Sequence, residues 1–247
     1  MVKIIPEETP EGIKKRKDFD KESWNPKTEL GRKIKSGEIN DISEVFDRGY
    51  RILEPEIVDF LVSDIESELI SIGQSKGKFG GGKKSIWKQT QKKTKEGNKM
   101  KFSTMMVVGN KDGYVGMGIG SSKETMPARE KSLRIAKVNL IRIKRGCGSW
   151  ESGGKNNYSI PFEVIGKCGS AEIRLIPAPK GTGLCIEEEC KKILKIAGIN
   201  DIYSKSKNSK TKLNIVKACF NALKKLSKMK VSEEYAKEYG IIEGKIK

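Results

Sequence analysis

Apolar positions along this chain recur at two spacings, helical and alternating, and the switches between them mark out its elements. Ile57, Phe60, Leu61, Ile65 and Leu69 fall at helical intervals behind Pro55, a residue that suits the first turn of a helix. A helix is therefore predicted over 56–69. Residues 87–95 and 99–108 read as two strands joined by the turn Glu96-Gly97-Asn98, and 114–119 as a third after the turn Asn110-Lys111-Asp112-Gly113. Phe102, Thr104, Met106 and Val108 alternate with Ser103, Met105 and Val107, so both faces of the second strand are largely apolar. Ser121 and Glu124 have the spacing of a capping box and predict a helix from Ser121, with Pro127 early enough to be tolerated. Its core stripe is expected at Leu133, Ala136 and Leu140, and its basic outer surface at Arg129, Lys131, Arg134 and Lys137. Residues 140–143 add a short strand.

Lys144-Arg145-Gly146, Gly148 and Gly153-Gly154 then break the pattern and predict a domain boundary. Beyond it, Tyr158, Ile160, Phe162 and Val164 alternate with polar residues, as do Ala171, Ile173 and Leu175, with Gly166-Lys167-Cys168-Gly169 as the hairpin between them. The next helix carries Ile186, Cys190, Ile193, Leu194 and Ala197 on one side. Glu187, Glu188 and Glu189 complement its N-terminal dipole, and Gly198 stops it. A strand over 199–203 and a last helix, with Val216, Cys219, Phe220 and Leu223 inward and Lys217, Lys224 and Lys225 outward, complete the second half. The reading is an α+β chain in four parts: an extended basic and polar arm over 1–50, an α-β-β-β-α domain over 51–146, a β-α-β-α domain over 147–228, and a charged peripheral tail over 229–247. There is no internal repeat.

Charge decides what such domains are for. Fifty Lys+Arg stand against 32 Asp+Glu, a formal +18 at pH 7, with 36% hydrophobic and 33% charged positions. An excess of this size repels itself in a compact state and calls for a polyanionic partner. Nucleic acid fits best, because each phosphate contact releases condensed counterions. No membrane partner is expected: no apolar run is long enough to span a bilayer, and Met1–Pro10 does not read as a signal peptide. The chain has no His, which removes the commonest general base and the usual zinc ligand. Cys147, Cys168, Cys185, Cys190 and Cys219 are odd in number and lack a CxxC pair. They predict a reducing compartment without a disulfide framework, and neither a metal nor a cofactor is expected.

Two glycine-rich stretches bear on nucleotide binding. Gly77-Lys78-Phe79-Gly80-Gly81-Gly82-Lys83 has the spacing of a phosphate loop up to its lysine, but Lys84 stands where a hydroxyl is needed for magnesium; a flexible segment is the better reading. Gly116, Gly118 and Gly120 miss the dinucleotide pattern and instead let a strand approach a helix closely. Pro177-Ala178-Pro179-Lys180-Gly181-Thr182-Gly183 reads as a phosphate seat at the start of a helix, and equally as a rigid strand-to-helix connection, which does not exclude the seat. Aromatics make up only 6% of the chain and most of those in strands alternate inward, so stacking on bases is expected to be minor beside phosphate and shape recognition. Candidate RNA-binding residues are Lys88, Lys92, Lys93, Lys95, Lys99 and Lys101, then Lys123 and Arg129, and Lys144, Arg145, Lys167, Lys180 and Thr182. For any single lysine among them, a solvated surface charge is the competing reading.

Six stretches run in one order along the chain: Trp24-Asn-Pro-Lys-Thr-Glu-Leu-Gly-Arg32, Glu54-Pro-Glu-Ile-Val-Asp59, Val107-Val-Gly-Asn-Lys-Asp-Gly-Tyr-Val-Gly-Met-Gly118, Arg145-Gly-Cys-Gly-Ser-Trp150, Val164-Ile-Gly-Lys-Cys-Gly-Ser170 and Leu175-Ile-Pro-Ala-Pro-Lys-Gly-Thr-Gly183. With them the chain resembles the small-subunit ribosomal proteins called S-five in bacteria and S-two in eukaryotes, on the archaeal and eukaryotic branch. The resemblance implies a double-stranded-RNA-binding-like first domain and a second domain with a left-handed crossover. It also implies a structural, non-enzymatic role beside ribosomal RNA and neighbouring small-subunit proteins, as a monomer within a cytoplasmic ribosome, at the messenger-RNA entrance and in support of decoding fidelity and assembly. The lysine-rich hairpin over 88–101 looks like the family's RNA-penetrating loop. Two other readings stand beside this one: a free double-stranded-RNA-binding regulator, resting on the same hairpin, and a phosphate-transferring enzyme, resting on the near-miss glycine loop.

Overall fold

The computed structural model describes residues 24–62, 64–74, 84–151 and 157–244. Helices α1 (Glu29–Lys35), α2 (Ile42–Asp47) and α3 (Pro55–Leu61) lead into a sheet of β1 (Glu66–Ile70), β2 (Lys88–Thr94), β3 (Gly97–Gly109) and β4 (Tyr114–Ser122), covered by α4 (Thr125–Val138) and completed by β5 (Leu140–Arg142). β6 (Lys144–Arg145) links to a second sheet of β7 (Val164–Cys168), β8 (Ala171–Pro177), β9 (Leu184–Cys185) and β10 (Ile202–Lys207), with α5 (Glu188–Ala197) and α6 (Lys212–Lys228). The chain closes through α7 (Glu233–Glu238) and β11 (Ile242–Glu243).

Residues 24–50 are folded, which corrects the expected extended arm over that span. Trp24, Leu30, Ile34, Ile39, Ile42 and Val45 are buried with Ile52, Ile57, Val58, Tyr114 and Leu140 in one cluster. Thr28 caps α1, its side chain accepting from the Gly31 amide, and the Glu54 carboxylate accepts from the Lys27 and Thr28 amides. Two helices this short are held by tertiary burial rather than by their own propensity, and so leave little periodic trace.

The helix predicted over 56–69 is also divided. It ends at Leu61, and Glu66–Ile70 instead pairs antiparallel with Met105–Gly109 of β3. β2 lies on that same edge of β3, further out, so β1 and β2 together make one broken edge of a sheet ordered β1-β3-β4-β5. The β2–β3 turn is Lys95-Glu96, one step earlier than expected, with Thr94 opposite Gly97. Helix α4 starts at Thr125, not Ser121, because β4 keeps pairing as far as Ser122. Glu124 then becomes the N-cap, and Ser121 caps nothing. The strand–helix approach read from Gly116, Gly118 and Gly120 holds: a Cβ at each would overlap the backbone of Ala136, Ser132 or Ala128. The helix accordingly buries Ala128, Ser132 and Ala136. Leu133 is half-buried, Leu140 belongs to β5, and Lys137 faces inward against Asp59 of α3.

The second sheet runs β7-β8-β10-β9, antiparallel except for the parallel β9–β10 pair around α5. α6 buries Val216, Cys219, Phe220 and Leu223 as expected, and Gly166 leaves room for the Ala218 carbonyl. α5 ends at Gly198, whose φ of +80° is the left-handed conformation foreseen there. This helix joins the two modules. Its buried side chains share a single cluster with Met105 and Val107 of β3. The Lys111 and Gly113 amides donate to the last carbonyls of α5, at Ile196 (2.8 Å) and Ala197 (3.1 Å). At its other end Glu189 accepts from the Ser71 amide, and Lys192 donates to the Leu69 carbonyl.

The peripheral tail is corrected too. β11 pairs antiparallel with β6, and Gly244 lies against Tyr114 and accepts from Arg145.

Two outcomes follow from this packing. Ile34→Ala should lower unfolding free energy by about 2–4 kcal/mol in denaturant titration, as for any well-packed aliphatic, whereas an unpacked arm would tolerate it. Glu187, half-buried at the start of α5, has its carboxyl pushed above the ordinary range by burial, which outweighs the nearby Lys212 and Lys84. The folded chain thus holds that proton more tightly than the unfolded one, and stability falls as pH rises from the ordinary glutamate value to the raised one. Glu187→Gln is expected to raise the denaturation midpoint at pH 7, with the advantage vanishing well below the ordinary glutamate range.

Candidate nucleic-acid interface

β2 and the outer half of β3 form a two-stranded ribbon that stands clear of the core. Almost every residue of β2 is exposed, as are the first five of β3, while β3 from Thr104 onward is buried. The register runs from Lys88 opposite Ser103 to Thr94 opposite Gly97. Residues directly opposite share a face and alternate along each strand. Lys88, Thr90 and Lys92 therefore lie with Lys99, Lys101 and Ser103 on one side, and Gln89, Gln91 and Lys93 with Asn98, Met100 and Phe102 on the other. Lys95 occupies the turn.

One face of the ribbon is thus strongly cationic, with Lys92 directly across from Lys99, a pairing that destabilises a bare ribbon. The local acid, Glu96, meets Lys99 at 3.1 Å in an exposed pair of little energetic weight. Thr94 donates to the Gly97 carbonyl (2.6 Å) and closes the turn. Ammonium groups arrayed this way suit a phosphate backbone. They also keep an exposed strand edge from pairing with another chain.

The other candidates divide. Lys123 is exposed just past the Ser122–Phe102 pair at the foot of the ribbon, and Arg129 is exposed on α4. Lys167 on β7 and Lys180 in the loop after β8 are exposed on the second module. Lys144 and Arg145, also candidates for RNA, are by contrast only 8% and 3% exposed, which corrects the expectation that they face a partner. Lys144 pairs with Glu243 at 2.7 Å and donates to the Met229 carbonyl. Arg145 donates to the Gly244 carbonyl at 3.0 Å and to that of Lys111, near Asp112. Burial lowers the pKa of both, with the Arg142 charge adding to the effect at Lys144 and Asp112 opposing it at Arg145. Their charges stitch β6 to the tail and to the β3–β4 turn.

The helix start expected directly after Pro177–Gly183 is corrected. α5 begins only at Glu188, β9 intervenes, and its first turn carries Glu188 and Glu189. The loop satisfies itself: Thr182 donates its hydroxyl to the Pro179 carbonyl at 2.9 Å, and the Gly183 amide donates to buried Asp201 at 2.6 Å. It is the rigid connection.

β10 contributes cations not foreseen. It runs to Lys207 rather than stopping at Tyr203, so Lys205 and Lys207 join Lys167 on the second sheet. The alternation of Ile202, Ser204 and Ser206 with Tyr203, Lys205 and Lys207 was the available signal.

The glycine loop over 77–83 lies outside the described residues. Among the described residues no group of His, Cys, Asp and Glu is arranged to hold a metal ion, and no helix is long and apolar enough to cross a membrane. The five cysteines form no disulfide; Cys190 and Cys219 are buried together between α5 and α6, and their hydrogen bond, with burial, pushes the Cys190 thiol far up.

Comparison with known proteins completes the picture. Residues 86–144 match the family described as Ribosomal protein S5, N-terminal domain, and residues 166–238 match Ribosomal protein S5, C-terminal domain. Over 226 residues the chain is 46% identical to "Small ribosomal subunit protein uS5" of Nanoarchaeum equitans, covering 91% of this chain and 97% of that one. With the protein of the same name in Methanocaldococcus jannaschii it shares 41% over 229 residues, 92% and 99% of the two chains. The counterpart in Methanosphaera stadtmanae is 43% identical over 226 residues, 91% of this chain and 93% of that one. Both domain matches fall in order on the two modules described above, and the relatives align along nearly their whole length. The chain belongs to the ribosomal protein S5 family.

Proposed function

We propose that this chain is a structural constituent of the small ribosomal subunit of the cytoplasm, bound to ribosomal RNA and to neighbouring subunit proteins, and without catalytic activity. The observation that carries this is the cationic face of the β2–β3 ribbon, where Lys88, Lys92, Lys99 and Lys101 align without enough local acid to neutralise them. The order α3-β1-β2-β3-β4-α4 supports a double-stranded-RNA-binding-like description of the first module. We read the β9–α5–β10 unit as the left-handed crossover that the family resemblance implies.

In this reading the ribbon enters RNA and neutralises phosphates, while the fused modules hold it at a fixed angle. Lys93 and Lys95 extend the contact around the tip, and Lys123 and Arg129 continue it at the foot. Lysines in place of arginines make point-charge contacts, so the ribbon reads shape and charge density rather than base identity. A rigid cationic projection of this kind also suits the messenger-RNA entrance, where holding RNA in position supports decoding fidelity.

Tagged chain expressed in its own cells is expected to sediment with small subunits through high salt and to be scarce in the free pool. Replacing Lys92, Lys93, Lys95, Lys99 and Lys101 together by Gln should leave the fold intact and weaken binding to duplex RNA. The salt dependence should flatten by about 0.9 logarithmic units for each lysine that touches a phosphate. A chain absent from small subunits, or a variant with unchanged salt dependence, would refute the reading.

A further inference from the structure

The second sheet has two unlike faces. Val164, Gly166, Ala171, Ile173, Leu175 and Ile202 point into the core beneath α5 and α6. The register sets the opposite face in rows. Cys185, Tyr203 and Ile176 form the first, Lys205, Arg174 and Ile165 the second, and Lys207, Glu172 and Lys167 the third. This outer face is open to solvent: Tyr203 is 42% exposed, Ile165 is 37% exposed, and Lys167, Lys205 and Lys207 are all exposed. Arg174 is paired with Glu163, and Glu172 sits between two lysines, so the face keeps a net positive charge.

We propose that this face is a platform for a single-stranded segment of RNA, with Tyr203 stacking on one unpaired base and Lys205, Lys207 and Lys167 holding the phosphates that follow. The proposal deepens the RNA reading above and rests on it. Among the strand aromatics Tyr114 is buried and Phe102 half-buried, whereas Tyr203 is exposed on the outer face of its sheet. A ring there has nothing to gain from a duplex, whose bases are already stacked, but meets the π-face of any splayed base. Lys205 and Lys207 are two residues apart on one strand, so their Cα atoms lie about 6.7 Å apart on the same face, a spacing from which both side chains can reach successive phosphates of an extended strand. The strand direction thus orders the contacts: base at the Tyr203 row, backbone toward the Lys207 row. Apolar Ile176, directly across from Tyr203 on β8, favours a base or its edge over a fully hydrated group.

The test uses the full chain, a uridine oligonucleotide and a perfectly paired RNA hairpin of about 16 base pairs. Tyr203→Leu should weaken oligonucleotide binding by roughly 5- to 100-fold without changing its salt dependence. Tyr203→Phe should retain the affinity. Lys205→Gln and Lys207→Gln should each flatten the salt dependence on the oligonucleotide by about 0.7 logarithmic units. Hairpin binding, carried by the β2–β3 ribbon, should be unaffected by all four changes. A 4-thiouridine oligonucleotide should cross-link at Tyr203. If the oligonucleotide binds with equal affinity to the chain and to Tyr203→Leu, or cross-links elsewhere, the platform is wrong while the ribbon reading stands. If neither RNA binds the unmodified chain, the RNA reading falls and the platform with it.

Discussion

Strand β3 must live in two environments at once, and the rest of the molecule follows from that constraint. From Gly97 to Lys101 its side chains are in water; from Thr104 to Gly109 they are buried. In the inner half, Met106 and Val108 meet Ala136 and Leu133 of α4, while Met105 and Val107 enter the cluster that contains α5. A strand apolar on both sides needs a cover on both sides, and here the second cover comes from the other module. The modules are therefore one body: α5 is held at its C-terminus by the β3–β4 turn and at its N-terminus by the end of β1. The consequence for function is positional. A ribbon continuous with a strand clamped on both faces is aimed by the whole protein.

The cations fall into two populations by burial. Lys137, Lys144 and Arg145 are buried and each has an intramolecular partner: Asp59, Glu243, and the Gly244 carbonyl beside Asp112. Removing water from such a group without supplying a partner is prohibitively unfavourable, so their role is internal. The ribbon lysines and those of the outer face of the second sheet remain hydrated and mutually repulsive, and a polyanion relieves that repulsion. Net charge alone does not distinguish the populations; burial does.

Most of the element order was legible from periodicity. The ribbon (its turn one residue early), the strand that is apolar on both faces, the close approach at Gly116, Gly118 and Gly120, the stop at Gly198 and the inward stripe of α6 all follow the hydrophobic spacing and turn residues. The misses share a cause. α1, α2, β1 and β11 are each seven residues or fewer, and each exists because another segment offers a surface or an open edge. Local pattern carries no information about that offer. The capping box at Ser121 failed for the same reason, since pairing with Phe102 kept Ser121 in the strand beyond the point where its own spacing would have started the helix.

By itself, then, the sequence determined the class of partner and the site of greatest charge density. Composition sums over residues wherever they end up, and a lysine-rich hairpin needs only a turn and alternation to form. Only the tertiary structure decided which cations are free to act, which face of each ribbon or sheet they share, and that residues 24–50, residues 229–244 and both modules form one unit. Those are matters of register and burial between segments distant in the chain, where a shift of one residue along β3 or β10 would exchange the inward face for the outward one.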